Sequence, residues 1–242
     1  MSQSKYFLAL KTVDNQAYQC YLNYPEKERK VLQVFAVLHR SINQTNMNAI
    51  LKTFEPDSQM GGLNGLVNKA FKEKALNDAL LDNSGNNVFC HQAIILLLIM
   101  ETIEQGTFEL IKDKAVAAVP YITGRSFSSV SSADYEMDRL RQVRMHLFAR
   151  DDKKLASLAK MSLTAHPCSP YYCYEFKGLL QPYYPHIFSY FSLTAQFFII
   201  ANELHPDAIE QLPPETAIEQ LSLWLESEAK GAESLSAVPR YL

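Results

Sequence analysis

Apolar residues recur with the 3.6-residue period of an α-helix through the first half of the chain. The pattern over residues 26–38 predicts a helix that begins at Pro25 or Glu26. One face of this helix is apolar and carries Val31, Val34, Phe35 and Leu38. A second helix is predicted after an N-cap at Thr45, and its apolar face carries Met47, Ile50, Leu51 and Phe54. His39, near the end of the first helix, suits the negative end of the helix dipole.

A third helix is predicted after Gly61 and Gly62, with an apolar face made of Leu63, Leu66, Val67, Ala70 and Phe71. Three lysines fall on or near its solvent side: Lys69, Lys72 and Lys74. If this helix entered a groove of DNA, these lysines would be the nucleic-acid-binding residues. The alternative interpretation is an ordinary solvated helix face, on which the lysines contact water.

A short β-hairpin and a buried helix are predicted next. Residues 79–81 and 88–89 are apolar and flank a polar turn over 83–87, where Gly85 supplies the positive φ that a tight hairpin requires. The following segment, AIILLLIM at 93–100, is apolar on nearly all sides. A helix of this kind is buried, so we expect one to begin near His91 and to lie in the core.

Three segments carry a resemblance to a known family: GLNGLVNKAF, ALLDNSGNNVF and the pair Cys90-His91. In this order they resemble the winged-helix module of signal-transduction ATPases. The resemblance covers residues 26–104 and implies three helices plus a hairpin that dock on nucleic acid or protein. The chain has no GxxxxGK[ST] loop, so ATPase activity is not implied. Four helices of a bundle, joined by a polar loop, are the alternative interpretation.

The second half of the chain is predicted to be helical. The segment VPYITGRSFSSVSSA at 119–133 is typical of a loop or domain junction, so we expect two domains, 1–118 and 119–242. Helices are predicted from Ser131 onward, from Lys153, from Pro185 to Leu204 and from Pro214 to Lys230. The first of these carries Arg139, Arg141 and Arg144, which are expected to pair with Asp134, Glu136 and Asp138 along the helix.

The predicted fold class is mostly α: a winged-helix-like module of three helices plus a short β-hairpin, followed by an irregular helical bundle. Composition supports it, because there are only eight glycines in 242 residues and Leu, Ala, Glu and Lys are plentiful. No segment has the length of about 20 apolar residues that a membrane span needs. The start of the chain does not have the pattern of a signal peptide. Together with the low density of cysteine, these features predict a cytoplasmic protein.

Charge argues against a freestanding DNA-binding protein. The net charge is −3, and residues 26–92 hold eight Lys or Arg against seven Asp or Glu. Tight DNA binding usually needs a clearly positive surface, because affinity comes largely from the release of phosphate counterions. We therefore prefer a protein partner to nucleic acid, and we expect no association with a membrane.

One cluster has the ligands of a metal site. His166, Cys168, Cys173 and His186 supply two thiolates and two imidazoles, which together can complete the tetrahedral coordination of zinc. The spacing is unusual, and prolines and tyrosines surround the four residues. A structured aromatic connection that contains Cys and His incidentally is therefore the alternative, and zinc is the only cofactor that the sequence raises.

These observations predict a non-catalytic protein that binds a macromolecular partner. No residue stands out as catalytic. Cys90 and His91 are adjacent on the chain and would point about 100° apart on a helix, so His91 is poorly placed to act as a base for Cys90. Two alternatives stay open: a DNA-binding transcriptional regulator that uses the three lysines, and a zinc-dependent enzyme built on residues 166–186.

Overall fold

A computed structural model describes residues 15–122, 132–165, 184–193, 195, 196 and 199. In chain order the elements are α1 (Gln16–Leu22), α2 (Glu26–Leu38), α3 (Gln44–Lys52), α4 (Lys69–Asn77), β1 (Leu81–Ser84), β2 (Asn87–Cys90), α5 (Gln92–Glu104), α6 (Phe108–Ala118), α7 (Ser132–Phe148), α8 (Asp152–Ala165) and α9 (Pro185–Phe188). The predicted fold class is confirmed: the protein is mostly α, with a two-stranded antiparallel hairpin packed against helices. Among the helices described, none is long and apolar enough to cross a bilayer.

Two helices, α2 and α5, form the centre of the first part of the chain. Every residue from 31 to 38 of α2 and from 94 to 102 of α5 is buried. The two helices pack against each other, and α2 also contacts α6 and β2. The buried helix predicted from about His91 is therefore confirmed. His91 is its N-cap, and the Nδ1 atom of His91 accepts a hydrogen bond from the Ala93 N–H at 3.1 Å.

The prediction for the third helix is wrong over its first turns, because α4 begins only at Lys69. Gly62 and Gly65 have φ values of 73° and 79°, which belong to the left-handed region and are incompatible with a continuous right-handed helix. Leu63 and Val67 are nevertheless buried, so they reach the core from a loop. Ala70, assigned to the apolar face, is exposed.

The N-cap of the second helix is Asn43, whereas the sequence predicts Thr45. The Asn43 side chain accepts a hydrogen bond from the Asn46 N–H at 2.8 Å, which satisfies one of the N–H groups left over in the first turn. Thr45 lies inside the helix and is exposed. The first helix begins at Glu26, directly after Pro25, as predicted.

Contacts divide the chain into two compact units, Met1–Met145 and His146–Leu242. The domain boundary that the sequence places between residues 118 and 119 stays a prediction. Within the second unit, the rings of Phe148 and Phe191 pack edge to face with centroids 5.2 Å apart. The Tyr190 hydroxyl donates to the Phe148 carbonyl at 3.0 Å.

One predicted helix of the second unit is interrupted by a turn, and another predicted helix falls outside the described residues. The sequence predicts one helix from Pro185 to Leu204, but α9 ends at Phe188, residues 189–191 form a turn, and the described residues 193, 195, 196 and 199 are helical again. The Ser192 Oγ atom accepts a hydrogen bond from the Ala195 N–H at 3.1 Å, a contact typical of a new helix start. The helix predicted over 214–230 lies outside the described residues.

Candidate functional site

A third backbone segment pairs with the β-hairpin and creates a groove beside it. In the hairpin, Leu81 pairs with Cys90 and Ser84 pairs with Asn87 around a turn at Gly85-Asn86. Ile42, in the connection between α2 and α3, forms an antiparallel bridge with Val88. The Ile42 N–H donates to the Val88 carbonyl at 3.0 Å, and the Val88 N–H donates back at 2.9 Å.

The hairpin groove has a volume of about 450 Å³, and its wall consists of Arg40, Ser41, Ile42, Asn43, Asn46, Ala49, Ile50, Asn87, Ala118 and Val119. The N–H and carbonyl groups of Ile42 both face β2, so those of the adjacent residues point to the opposite side. Within the described residues, neither backbone group of Ser41 forms a hydrogen bond, and the Asn43 N–H forms none. The buried Ser41 Oγ atom also lacks a hydrogen-bond partner. The groove therefore offers unused donors and acceptors of main-chain and side-chain type.

Two buried arginines of α7 have different surroundings. Arg141 is fully buried and forms an ion pair with Asp138 at 3.2 Å, as predicted for this helix. Its Nη2 atom donates to the Val119 carbonyl, so Arg141 anchors one wall of the hairpin groove. Arg144 is also buried, but its Nη1 atom lies 2.7 Å from Nδ1 of His39 and no carboxylate pairs with it in the described part of the chain.

His39 and Cys90 are the neighbours of the Arg144 charge. Burial, with a smaller contribution from Arg144, lowers the pKa of His39 well below its usual value. A neutral His39 can accept a hydrogen bond from Arg144, and without a positive charge its ring gains little from the negative end of the helix dipole. Burial lowers the pKa of Arg144 to about 10 and raises the pKa of the Cys90 thiol. At neutral pH Arg144 is thus charged and Cys90 is a protonated thiol, which is a poor nucleophile.

The three candidate lysines of α4 have unequal surroundings. Lys69 is highly exposed and lies 3.7 Å from Glu73, one turn along the helix. The Lys74 Nζ atom lies 3.4 Å from Glu28 and 3.6 Å from the centroid of the Tyr24 ring. Lys72 is partly exposed. Two of the three positive charges therefore contact groups of the protein itself, and phosphate binding by α4 stays a prediction.

Of the predicted zinc ligands, only His186 lies within the described residues; His166, Cys168 and Cys173 lie outside them. His186 belongs to α9, and its ring centroid is 5.8 Å from that of Tyr184. Burial lowers the pKa of His186, and its Nε2 atom has no hydrogen-bond partner. A neutral imidazole with an unused nitrogen is able to bind a metal. The four-residue zinc site stays a prediction.

A second cavity lies between α2 and α5, and the sequence gives little sign of it. This polar pocket has a volume of about 360 Å³, and its wall consists of Glu26, Arg29, Lys30, Gln33, Gln59, Glu101, Gln105 and Thr107. Gln33 and Glu101 are 1% and 3% exposed, although both are polar. In sequence Glu101 follows eight apolar residues and fits the polar edge of a buried helix. The signal that could have revealed the pocket is a carboxylate that directly follows eight apolar residues in a helix that is apolar on nearly all sides.

Comparison with models of protein families, with curated proteins and with solved structures finds no match to this chain.

Proposed function

We propose that this protein is a non-catalytic interaction protein that binds an extended segment of a protein partner in the hairpin groove. The observation that carries the proposal is the backbone bridge between Ile42 and Val88. It makes the Ile42 segment an edge of the hairpin sheet, with unused backbone groups at Ser41 and Asn43. An extended peptide adds to such an edge through main-chain hydrogen bonds, and nearby side chains supply specificity.

The same bridge supports the winged-helix-like interpretation of residues 26–104. In chain order come α2, the bridged residue Ile42, α3, α4, the hairpin and α5, and Ile42 pairs with Val88 of β2. This order contains the three helices and the hairpin that the resemblance implies, in a module that docks on protein or nucleic acid. The long loop before α4, which holds Gly62 and Gly65, differs from the tight turn of a DNA-reading helix pair.

The charges favour a protein partner over DNA. Lys69 and Lys74 contact Glu73 and Glu28, so part of the positive charge on α4 is neutralised within the protein. Among the described residues that line the hairpin groove, only Arg40 is charged, and polar side chains such as Asn43 and Asn87 lie beside it. A wall of this composition suits hydrogen bonds to a peptide and one contact with an acidic side chain.

The test compares two matched substitutions of exposed helical alanines. Ala49→Arg fills the hairpin groove from α3, whereas Ala70→Arg places the same side chain on α4. The wild-type protein and both variants are purified from native cells under identical conditions, and associated proteins are quantified by mass spectrometry. We expect at least one stoichiometric partner to be retained by Ala70→Arg and reduced by about tenfold or more with Ala49→Arg, since a charged side chain would occupy the peptide site.

A second measurement locates the contact. A photo-crosslinking amino acid placed at Asn46, in the groove wall, should trap one contiguous segment of that partner. The same group placed at Ala70 should trap none. The assignment of the hairpin groove as the binding site would be overturned if both arginine variants recovered the partner equally. It would also be overturned if only Ala70→Arg lost the partner.

A further inference from the structure

The loop between α3 and α4 contains the pair Asn64-Gly65, which is the only Asn-Gly sequence in the 242 residues of the chain. Both residues are exposed. They are the central pair of a turn in which the Leu66 N–H donates to the Leu63 carbonyl at 3.3 Å. Leu63 and Val67 are fully buried, so the tip of this turn meets solvent while the chain on either side of it is anchored in the core.

The two groups of this pair that can react with each other form no hydrogen bond within the described residues. They are the backbone N–H of Gly65 and the side-chain amide of Asn64. Gly65 has a φ of 79°, and a Cβ atom built on it would meet no atom within 4 Å. Glycine has no side chain to hinder an approach, and its backbone angles vary more widely than those of other residues. The Gly65 nitrogen is therefore accessible to the Asn64 side chain and to water.

Two other asparagines show how the surroundings of Asn64 differ. The Asn68 side chain is engaged as the N-cap of α4 and accepts a hydrogen bond from a backbone N–H at 3.0 Å. Asn83 is exposed like Asn64, but it lies in β1, and the next residue, Ser84, pairs with Asn87 of β2. Backbone hydrogen bonds of a β-ladder hold the main chain extended, and Ser84 also carries a side chain. Asn64 thus combines a free amide with an unhindered following residue.

We propose that Asn64 is a site of spontaneous deamidation and isomerisation. The Gly65 backbone nitrogen attacks Cγ of Asn64, so that a bond between these two atoms forms and the bond between Cγ and Nδ2 breaks. The proton of the Gly65 nitrogen leaves with Nδ2 as ammonia, and a succinimide ring remains. One water then opens the ring. Cleavage between the nitrogen and Cγ gives aspartate, whereas cleavage between the nitrogen and the main-chain carbonyl carbon gives isoaspartate. Water is the co-reactant, and nothing is oxidised or reduced.

Either product adds a negative charge to the loop that precedes α4. The Glu55 carboxylate already accepts hydrogen bonds from the Asn64 N–H at 3.1 Å and from the Gly62 N–H at 3.3 Å. The new carboxylate would stand beside Glu55, and isoaspartate would also lengthen the main chain between the buried Leu63 and Val67. The proposal is independent of peptide binding, because neither Asn64 nor Gly65 belongs to the wall of the hairpin groove.

The test is incubation of the folded, full-length protein in mildly alkaline buffer, followed by digestion at mildly acidic pH and mass spectrometry of the peptides. A synthetic peptide of residues 61–71 in the same buffer gives the rate without the fold. We expect Asn64 in the protein to convert at a rate within about tenfold of that peptide, since the exposed turn adds only a small barrier. Asn83 should convert more slowly than Asn64. In water enriched in the heavy isotope of oxygen, each product molecule should gain one heavy oxygen atom.

Two matched variants assign the reaction to Asn64. Asn64→Gln keeps the amide but adds one methylene, so the attack of the next nitrogen would need a larger and less favourable ring. The matched control is Asn83→Gln, the same change at an exposed asparagine of the hairpin. Ion-exchange chromatography separates the more acidic product from the starting protein. The acidic form should accumulate in the wild type and in Asn83→Gln, and it should be reduced by about tenfold or more in Asn64→Gln.

Three results would overturn the proposal. The first is an unmodified Asn64 in the folded protein at the time when the synthetic peptide has fully converted. The second is conversion of Asn83 at least as fast as that of Asn64. The third is accumulation of the acidic form in Asn64→Gln at the wild-type rate. The peptide maps come from the wild-type protein alone, so the proposal stays testable even if a variant does not fold.

Discussion

Arg141 and Arg144 lie one turn apart on α7 and show two ways in which a buried charge is accommodated. Arg141 pairs with Asp138, which also accepts hydrogen bonds from the Ile122 N–H and from Gln142. Arg144 has a neutral histidine as its partner, and its Nε and Nη2 atoms form no hydrogen bond. Removing one member of a buried ion pair leaves the other charge uncompensated, whereas removing a poorly compensated charge relieves a desolvation cost.

We therefore expect opposite results from the same substitution at these two positions. Arg141→Met should lower the free energy of unfolding by about 3 kcal/mol, because it leaves the carboxylate of Asp138 buried without its cation. Arg144→Met should be close to neutral or stabilising, because methionine fills a similar volume without a charge. Urea denaturation followed by circular dichroism measures both. If Arg144→Met lowered the free energy of unfolding more than Arg141→Met does, the contact between Arg144 and His39 would contribute more to stability than the ion pair between Arg141 and Asp138.

His39 gives a pH dependence whose sign follows from its environment. Burial lowers its pKa in the folded protein below the usual value of 6.5. Below that value the unfolded chain binds a proton that the folded protein does not, so stability should fall as the pH decreases from 6.5 toward the folded pKa. Arg144 and Arg141, the charges that face the ring, act in the same direction.

The measurement is urea denaturation at a series of pH values between about 7 and 5. His39→Asn keeps a side chain that tolerates the left-handed backbone at this position, where φ is 44°, and it removes the titrating group. The variant should lose part of the acid-dependent decrease that the wild type shows. An identical pH profile in both proteins would mean that His39 does not contribute to it.

At the scale of elements, the start of α4 depends on one capping side chain. The Asn68 Oδ1 atom accepts a hydrogen bond from the Phe71 N–H at 3.0 Å, at the boundary between the glycine-containing loop and the helix. Loss of such an N-cap interaction typically costs about 1 kcal/mol. Asn68→Ala should therefore lower the free energy of unfolding by about that amount.

Asn64→Ala is the matched control for this prediction. Asn64 is exposed in the same loop and does not cap a helix; only its backbone N–H contacts Glu55, at 3.1 Å. Its replacement should change stability by less than about 0.5 kcal/mol. Equal effects of the two substitutions in urea denaturation would show that the cap does not fix the start of α4.

At the scale of the whole molecule, charge makes a further prediction. The net charge is −3, and Lys69 and Lys74 of α4 lie beside carboxylates. We expect binding to a random-sequence DNA duplex with a Kd no tighter than about 10 μM at about 100 mM salt. Fluorescence anisotropy at several salt concentrations measures this. Submicromolar binding that weakens with salt and with Lys69→Ala plus Lys72→Ala would instead favour a DNA-binding regulator.

The predictions from sequence were most accurate where a helix buries one continuous apolar face. The apolar residues from Val31 to Leu38 in α2 and the apolar run of α5 predict both a helix and its burial. The spacing of apolar residues along the chain is enough for both predictions. Prediction was least accurate where an apolar residue is buried from a loop. Leu63 and Val67 have helical spacing, yet the positive φ of Gly62 and Gly65 prevents a helix there.

The sequence by itself determined the mostly α composition, the central helices α2 and α5 and the presence of a hairpin, because local periodicity and turn residues encode them. Only the tertiary structure decided that Ile42 pairs with Val88, that His39 lies against Arg144, and that Glu101, Gln33 and Arg29 surround one pocket. These residues are 46, 105 and up to 72 positions apart. Contacts over such separations depend on how the helices pack against each other. The spacing of apolar residues along one helix does not indicate which polar groups of another helix will lie next to it.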